Sequence, residues 1–461
     1  MSKDAQVQIL EKNIDRSEGT MAAIDLGKGN IGTFTEPAYV AGPAASSRRS
    51  LKDEGRSWND IRDELILRKR GDYDWRRGRL GIYVYHDSDE LLSVAREAYN
   101  LFFSENALGQ MAFPSLARME QEIIATALSI FRAPHDSAGS FTSGGTESIF
   151  LALKSARDCF RDRNSRDVRP NIVIPRTAHP AFDKAAQYLD VEAVRVGVRD
   201  DLKVDLAEVR CAINSHTMLI AGSAPCYPYG VFDSIAELGQ LAIEKGKWLH
   251  VDACLGGFLA PFARDEGHPI PPFDFEIPGV TSLSADLHKY GFAARGASVV
   301  LYRQAHLKQY QGFKFDNWPR GSYATDTFLG SRPGGSVASA WAVLQYLGRD
   351  GYRRLARKTM DTKLLLVSGI DRIPGLRVLR PTELSIVLYH STDKRVDIHA
   401  VADAMGEHGW FIGRSREPSA IHLAINAVHA PVIEQYLQDL SDCVLQARSS
   451  GRTGMYNDRT Y

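Results

Sequence analysis

Cysteine is scarce in this sequence, and the few cysteines are poorly placed for cross-links or metal binding. There are five of them, no two form a Cys-x-x-Cys pair, and they stand far apart, at Cys159, Cys211, Cys226, Cys254 and Cys443. An odd and scattered set argues against a disulfide framework and against a structural zinc site. We therefore predict a protein of a reducing compartment, the cytoplasm, without a bound metal.

Net charge and long apolar runs are also missing. The 461 residues include 56 Lys and Arg and 56 Asp and Glu, for a formal net charge of +0. This balance does not favour a nucleic acid as the partner. No apolar run approaches the roughly 20 residues that cross a bilayer, and the amino terminus has no apolar core typical of a signal peptide. We predict no stable membrane insertion and expect a small-molecule ligand.

Length and composition predict a globular protein with one large and one small domain. Hydrophobic residues make up 44% and charged residues 24% of the chain, as in ordinary soluble domains, and the length exceeds the usual size of one domain. From shifts in composition and periodicity we expect a flexible N-terminal arm over residues 1–55, an N-terminal helical segment over 56–120, a large domain that holds the ligand site over 121–340, a small C-terminal domain over 341–448 and a tail over 449–461.

In the middle of the chain, short β-branched runs alternate with helical patterns. Runs such as NIVIP, TMLIAGSA and WLHVDA are separated by stretches such as AFDKAAQYLD and SIAELGQLAIEKG. This alternation is typical of βαβ units. The predicted fold class is therefore α/β, with a mostly parallel sheet covered by helices, followed by a smaller α+β C-terminal domain. Ligands of such sheets bind at the carboxyl ends of the strands.

The glycine-rich stretch TSGGTES, residues 142–148, stands between a predicted strand and a predicted helix. Glycines let backbone N–H groups surround an anion, while hydroxyl groups and a helix N-terminus add donors and positive potential. The stretch predicts a phosphate site, and an ordinary N-cap with a glycine-rich turn is the alternative. Its spacing does not match a P-loop, which argues against nucleoside triphosphates.

An acid and a lysine occupy the ends of two other strand-like runs. Asp252 ends WLHVD, where a carboxylate can keep a ring nitrogen protonated or simply cap the strand. Lys289 follows VTSLSADLH; a lysine whose pKa is depressed by burial or cationic neighbours can form a Schiff base, and a solvated lysine is the alternative. His179, in RTAHPAF, can lie against a cofactor ring or be a core histidine. Together with a phosphate site, this set is typical of pyridoxal phosphate binding.

The chain resembles the pyridoxal-phosphate-dependent group II decarboxylase family, and within it the sphingosine-1-phosphate lyases. The matching stretches include FTSGGTESIFLALKSARD, HVDACLGGFLAPF, PFDFEIPGVTSLSADLHKYGFA and GSYATDTFLGSRPGGSVASAWAVLQYLG, and the similarity spans roughly residues 83–440. The resemblance implies the pyridoxal-phosphate transferase fold of type I. It also implies an enzyme of sphingolipid metabolism, a lyase that cleaves a phosphorylated long-chain base by a retro-aldol step to a fatty aldehyde and phosphoethanolamine.

The resemblance further implies a role for each residue of the site. Lys289 is expected to be the Schiff-base lysine, Asp252 the partner of the pyridine nitrogen and His179 the residue stacked on the ring. Lys289 and Tyr323 are the candidates for proton transfer. The cofactor phosphate is expected to bind Gly145, Thr146 and His288, together with Gly330 and Ser331 from the other subunit of a homodimer with shared active sites. The residues expected at the substrate are Tyr83, Tyr85 from the partner chain, Asn106, Arg295 and Tyr323.

Two departures from the lyase pattern concern the substrate. Gly109 stands where the lyases usually carry a histidine that helps to bind the substrate phosphate, and Arg295 stands where they carry a lysine. Arginine still binds phosphate, with a different geometry, whereas loss of a charged hydrogen bond is worth about 1.5–3 kcal/mol. An amino-acid decarboxylase, another retro-aldolase or condensing enzyme on a different amine, and a pyridoxal-binding protein without activity therefore stay open as alternatives.

Overall fold

The central sheet forms from the short β-branched runs of the sequence. The computed structural model of the chain describes residues 50–164 and 168–455. The strands of this sheet are β1 (Ala138–Thr142), β2 (Asn171–Pro175), β3 (Glu192–Val196), β4 (Thr217–Ser223), β5 (Trp248–Asp252), β6 (Val280–Ala285) and β7 (Ser298–Tyr302). Their order across the sheet is β1-β7-β6-β5-β4-β2-β3. Strands β2 to β6 pair in parallel, and β7 runs antiparallel to both of its neighbours. The predicted mostly parallel sheet is confirmed.

Helices connect most strands of the central sheet, and further helices precede and follow the sheet in the chain. Several begin at a side chain that accepts a backbone N–H; the hydroxyl of Ser88, for example, accepts from Leu91 N at 3.3 Å, as is usual at an N-cap. The helices are α1 (Trp58–Arg68), α2 (Asp89–Leu101), α3 (Pro114–Ile130), α4 (Gly145–Arg163), α5 (Ala181–Leu189), α6 (Leu206–Ala212), α7 (Ile235–Lys245), α8 (Ala260–Asp265), α9 (Ala305–Lys308), α10 (Gly334–Asp371), α11 (Ile398–Glu407) and α12 (Ile433–Ser450), and short 3₁₀ turns span Lys69–Gly71, Trp75–Arg77, Gln309–Gln311 and Ala427–Val432.

Both faces of the central sheet are buried. Successive side chains of a strand point to opposite faces, and on β2 they join different apolar clusters. Ile172 and Ile174 pack in a cluster with Leu153 of α4, whereas Val173 packs in a cluster with Leu238 of α7. Burial on both faces explains why β2 carries consecutive apolar residues, Ile172 to Ile174, instead of alternating with polar ones.

A second sheet near the end of the chain forms the small α+β part. Its strands are β10 (Leu376–Val378), β11 (Ile386–Ser391), β12 (Gly413–Ser415) and β13 (Ala420–Ala424), and they pair antiparallel in the order β10-β11-β13-β12. Tyr389 of β11, Met405 of α11 and Leu440 of α12 share one apolar core. The predicted smaller C-terminal part with its own sheet is confirmed.

A two-stranded hairpin, β8 (Phe313–Phe315) and β9 (Tyr323–Thr325), stands outside both sheets. It lies between β7 and α10 in the chain, and α10 is itself interrupted at Gly348, whose φ of 53° is not helical. Both aromatic residues of β8 are exposed. A short strand with outward aromatic side chains is a candidate for contact with another surface.

Of the predicted flexible arm, residues 1–55, the part up to residue 49 lies outside the described residues, and of the predicted tail, residues 449–461, so does the part from residue 456. The described residues ahead of α1, 50–57, form neither helix nor strand. Over the ranges that the structure describes, no helix combines the length and the apolar character needed to cross a membrane. The bounds of the five proposed segments stay predictions.

Candidate active site

The carboxyl ends of β4, β5 and β6 open onto a cavity of about 400 Å³. This is the edge of a parallel sheet at which ligands bind. The residues that line it are Tyr83, Tyr85, Gly145, Thr146, His179, Ser223, Pro225, Tyr227, Asp252, Cys254, Leu255, Asp286, His288, Lys289 and Arg295. Nine of the predicted site residues are therefore brought together, although they come from segments more than 200 positions apart in the chain.

The glycine-rich turn between β1 and α4 forms one wall of the cavity. Helix α4 begins at Gly145 and runs for 19 residues, so its first amide groups and the positive end of its dipole lie at the cavity. A Cβ atom on Gly145 would come within 2.7 Å of Cys254 Sγ and 3.0 Å of Asp286 Oδ1. Only glycine leaves this wall concave, and the geometry favours the predicted phosphate site over a plain N-cap.

Lys289 lies in the cavity, but its amine is ion-paired. Nζ is 2.9 Å from Asp286 Oδ2, and only 2% of the Asp286 side chain is exposed. Burial lowers the pKa of Lys289, and the adjacent carboxylate outweighs burial, so the pKa is raised. A depressed pKa, the condition that the sequence analysis named for a Schiff-base lysine, is not met by the free amine in this structure, because the charge in contact with it is an anion rather than a cation.

His288 and Arg295, from the segment between β6 and β7, also line the cavity. Ala297 N donates to His288 Nδ1 at 3.2 Å, which leaves Nε2 to carry the proton of a neutral ring. Burial also lowers the pKa of His288. The guanidinium of Arg295 lies 5.9 Å from the centre of the Tyr85 ring, and its Nη1 donates to the His288 carbonyl at 3.3 Å. His288 can thus donate one hydrogen bond to an anion, and Arg295 supplies a second cation beside the cavity.

Asp252 and His179 line the floor and side of the cavity. Asp252 ends β5, and its Oδ1 accepts hydrogen bonds from Cys254 N at 3.0 Å and Ser284 Oγ at 3.4 Å. His179 Nδ1 accepts from Ala181 N at 3.1 Å, so its ring is held at the start of α5 as the neutral Nε2–H form. Burial lowers the pKa of His179, and the charge of Asp252 opposes this effect.

Two tyrosines from the segment before α2 complete the cavity wall. Tyr85 packs edge-on against Tyr290, with ring centres 4.7 Å apart, and Tyr290 is the residue after Lys289. The expectation that Tyr85 comes from a partner chain is corrected by this packing, because the ring lines the cavity of its own chain. Tyr83 has a positive φ of 68°, a conformation that non-glycine residues adopt with strain and that is frequent at functional sites.

Four predicted residues do not line this cavity and form a second group instead. Asn106 Nδ2 donates to Ser331 Oγ at 3.0 Å, and a Cβ atom on Gly330 would lie 3.0 Å from the hydroxyl oxygen of Tyr323. Gly109 stands beside this group, with Asn106 O 3.6 Å from its would-be Cβ. The prediction placed Asn106 and Tyr323 at the substrate. Within this chain they lie apart from Lys289, because the hairpin and the segment after it stand outside the central sheet.

Several cavity residues were not predicted from the sequence. Asp286 stands within the stretch that holds Lys289, and its position three residues before the lysine was the signal that could have found it. Ser223 ends β4, and Pro225 and Tyr227 follow shortly after it, so the strand-end rule that selected Asp252 would have led to them. Cys254 and Leu255 follow Asp252 in the same way.

The residues of the cavity fit pyridoxal phosphate. A helix N-terminus with Gly145, Thr146 and the Nε2–H group of His288 provides donors for a phosphate group. Asp252 provides an anion for a pyridinium nitrogen, and Lys289 provides a primary amine for an aldehyde. The concave wall at Gly145, which a single Cβ atom would fill, leaves room for the phosphate. Over residues 50–164 and 168–455, no group of three or more His, Cys, Asp or Glu side chains could hold a metal ion.

Comparison with known proteins agrees with this geometry. Residues 83–389 match the conserved domain of the pyridoxal-dependent decarboxylases. The sphingosine-1-phosphate lyase of Arabidopsis thaliana is 39% identical over 393 residues, which cover 84% of this chain and 72% of that relative. The sphingosine-1-phosphate lyase of Dictyostelium discoideum is 39% identical over 397 residues, which cover 86% of this chain and 74% of that relative.

Solved structures show the same similarity. The sphingosine-1-phosphate lyase of Burkholderia pseudomallei superposes with a TM-score of 0.83 at 36% identity, covering 88% of this chain and 94% of that one. The glutamate decarboxylase of Lactobacillus brevis superposes with a TM-score of 0.76 at 20% identity, covering 90% of this chain and 98% of that one. The second likeness concerns the fold alone. The predicted fold class is confirmed by both.

Proposed function

The chain belongs to the family of pyridoxal-dependent decarboxylases, and on this premise we propose that it is a carbon–carbon lyase acting on phosphorylated long-chain bases. Its cofactor is pyridoxal 5′-phosphate. The proposed reaction is the retro-aldol cleavage of sphingosine 1-phosphate, or a closely similar base, to a fatty aldehyde and phosphoethanolamine. The observation that carries this proposal is the presence of a cation, Arg295, at the cavity in addition to the donors of the phosphate wall, as we call the cavity surface formed by Gly145 and Thr146 at the start of α4.

Each cavity residue has a proposed task in cofactor binding. Gly145, Thr146 and His288 would hold the phosphate, Asp252 would face the ring nitrogen, and His179 would lie against the ring. When bound, the cofactor supplies an electron sink for the pair released from a broken bond next to the amine carbon. Asp252 supports this function by keeping a positive charge on the ring nitrogen through Coulomb attraction in a partly desolvated site.

The remaining residues bind the substrate and move protons. Arg295 would bind the substrate phosphate through charge-assisted hydrogen bonds, and Tyr83 and Tyr85 would line the path of the long-chain base. A base must remove the proton of the substrate hydroxyl group as the carbon–carbon bond breaks. Lys289 is the candidate within the cavity of this chain, and Tyr323 is the candidate from a neighbouring subunit.

We propose a cytoplasmic homodimer in which Asn106, Tyr323, Gly330 and Ser331 reach the cavity of the other subunit. Two observations support the dimer. These four residues lie together but away from the cavity of their own chain, and the hairpin that contains Tyr323 exposes aromatic side chains. The cytoplasmic location is supported by the five cysteines, none of which is paired among the residues described.

The proposal is tested by incubating the purified protein with sphingosine 1-phosphate and analysing the products. We expect a long-chain aldehyde and phosphoethanolamine in equal amounts. Lys289→Ala should abolish turnover and the covalent attachment of the cofactor, because no other amine lines the cavity as described. Lys245→Ala, which removes an exposed lysine on α7, is the matched control and should keep wild-type activity.

Other outcomes would identify a different reaction. Release of carbon dioxide from an amino acid, without aldehyde from the phosphorylated base, would replace the proposal with a decarboxylase. Cleavage of a β-hydroxy amine that carries no phosphate would point to a related retro-aldolase and would show that Gly109 marks a changed substrate. Cofactor binding without any turnover would replace the proposal with a pyridoxal-binding protein that has no catalytic activity.

A further inference from the structure

We propose that Asp286 is a positioning residue that holds the free amine of Lys289 as an ammonium ion and thereby sets the pH at which Lys289 can bond to the cofactor. This inference rests on the proposed role of Lys289 and does not depend on the identity of the substrate. Asp286 was not among the residues that the sequence predicted, and its task is separate from those of Asp252 and His288.

The contact between the two residues is short and enclosed. Lys289 Nζ lies 2.9 Å from Asp286 Oδ2, with 25% of the lysine side chain and 2% of the aspartate side chain exposed. Because little water reaches this carboxylate, the pair is weakly screened and favours the charged form of the amine. The carboxylate is also next to the phosphate wall, because both of its oxygens lie 3.0–3.1 Å from the point that a Cβ atom of Gly145 would occupy.

No other nearby group takes the place of Lys289 as the cation of this pair. His288 Nε2 is 3.5 Å from Asp286 Oδ2, but the ring is neutral because its Nδ1 accepts from Ala297 N. His179, from the turn before α5, is neutral for the corresponding reason. Cys254, after β5, stays a thiol because burial raises its pKa. Arg295 is charged, but its Nη1 donates to the His288 carbonyl.

The second carboxylate oxygen indicates that Asp286 is not a structural anchor. Oδ1 is buried and accepts no hydrogen bond of ordinary geometry, because the Ser298 hydroxyl, which favours the charged form of Asp286 from nearby, donates to the Ala285 carbonyl at 3.1 Å. The large majority of buried polar side-chain atoms have at least one hydrogen-bond partner. Both carboxylate oxygens of Asp233 in this chain do, accepting from Val204 N and Ser223 N at 2.8 Å each. The bond that Asp286 does form is the one to the reactive lysine.

This pairing has a chemical consequence for loading of the cofactor. Only an unprotonated amine can bond to an aldehyde carbon. The ammonium first loses one proton to solvent, and the electron pair left on Nζ forms the bond to the aldehyde carbon. The two protons that remain on Nζ then pass to the aldehyde oxygen, which departs as water while a second carbon–nitrogen bond forms. By holding the proton on Nζ, Asp286 slows this step at neutral pH. The same contact gives Lys289 a fixed resting place whenever its amine is free.

The test is the pH dependence of cofactor loading in Asp286→Asn, which keeps the size of the side chain and removes its charge. Loading is followed by absorbance after pyridoxal phosphate is added to cofactor-free protein, with Lys289→Ala as the blank. In the wild type the rate should rise about tenfold per pH unit between about pH 6 and 9. In Asp286→Asn the profile should flatten, and loading near pH 7 should be about tenfold faster or more. The ratio of the two rates cancels the ionisations of the cofactor itself.

Asp274→Asn is the matched control, because Asp274 is equally buried and ion-paired, with Arg132 Nη2 at 2.6 Å, but lies outside the cavity. Its loading profile should follow the wild type even where its stability falls. Asp286→Glu, which restores the charge, should return the steep profile, and thermal unfolding establishes that each variant is folded. An Asp286→Asn profile parallel to the wild type would overturn the inference. Normal loading of Lys289→Ala would overturn the proposed role of the lysine instead, and the inference would fall with it.

Discussion

At the scale of a single residue, one methyl group at position 145 decides whether the phosphate wall keeps its shape. Gly145→Ala would bring a Cβ atom within 2.7 Å of Cys254 Sγ and 3.0 Å of a buried carboxylate oxygen. Overpacking of this kind costs about 1–3 kcal/mol. Here it would displace the backbone that would hold the cofactor phosphate. We expect the affinity for pyridoxal phosphate to fall about tenfold to a hundredfold, as measured by titration of the cofactor-free protein.

Gly406→Ala is the matched control for this change. Gly406 lies in α11, nothing stands within 4 Å of its would-be Cβ, and its φ is not positive. Alanine is favoured over glycine in a helix by up to about 1 kcal/mol, so Gly406→Ala should leave cofactor affinity unchanged and the protein slightly more stable. Equal cofactor affinity in Gly145→Ala and wild type would mean that the phosphate is held elsewhere.

At the scale of the elements, Glu147 in the first turn of α4 joins the phosphate wall to the segment after β9. Its buried carboxylate accepts from Ser143 N at 2.7 Å and from Phe328 N at 2.8 Å. Glutamine has only one oxygen to accept these bonds, so Glu147→Gln leaves one backbone N–H facing a donor. We expect faster amide hydrogen exchange in residues 143–148 and 326–331 together, measured by mass spectrometry.

Glu208→Gln provides the comparison for Glu147→Gln. Glu208 Oε2 accepts from Gly197 N at 2.6 Å, and the amide oxygen of glutamine can keep this single bond. Exchange around residue 197 should therefore change little. Loosening of only one of the two segments in Glu147→Gln would mean that Glu147 supports each of them separately and does not couple them.

At the scale of the whole molecule, the exposed apolar surface of the hairpin and of the segment that follows it predicts a dimer. Phe313, Phe315, Trp318 and Phe328 are 47–61% exposed, and a cluster of such side chains is typical of an interface. We expect the double variant Trp318→Glu with Phe328→Glu to become monomeric in sedimentation experiments and to lose lyase activity while it stays folded. Ile243→Glu, on the outer face of α7 and equally exposed, should stay dimeric.

A mixing experiment distinguishes shared from separate active sites in that dimer. Lys289→Ala lacks the lysine, and Ser331→Arg would obstruct the proposed contribution to the partner. If each site combines Lys289 of one subunit with Ser331 of the other, a mixed dimer contains one intact site, and activity returns when the two inactive variants are combined. Mixtures that stay inactive would mean that each cavity works with residues of its own chain.

The sequence by itself determined which residues of the site stand at the ends of strands. Thr142, Asp252 and Lys289 each stand at or just after an apolar β-branched run, and parallel strands place such positions at one edge of the sheet. The mostly parallel sheet and the smaller C-terminal sheet were also predictable, because the hydrophobic periodicity that distinguishes strands from helices is visible within short windows of the sequence.

Only the tertiary structure decided how these parts meet. The contact of Gly145 with Asp286, the position of Tyr85 beside Tyr290 and the separate grouping of Asn106 with Ser331 all join residues far apart in the chain. Such contacts depend on which loops pack against the sheet, and no local pattern records that choice. The charge state of Lys289 was missed in the same way, because it depends on which carboxylate the fold leaves beside the amine, in a place that little water reaches.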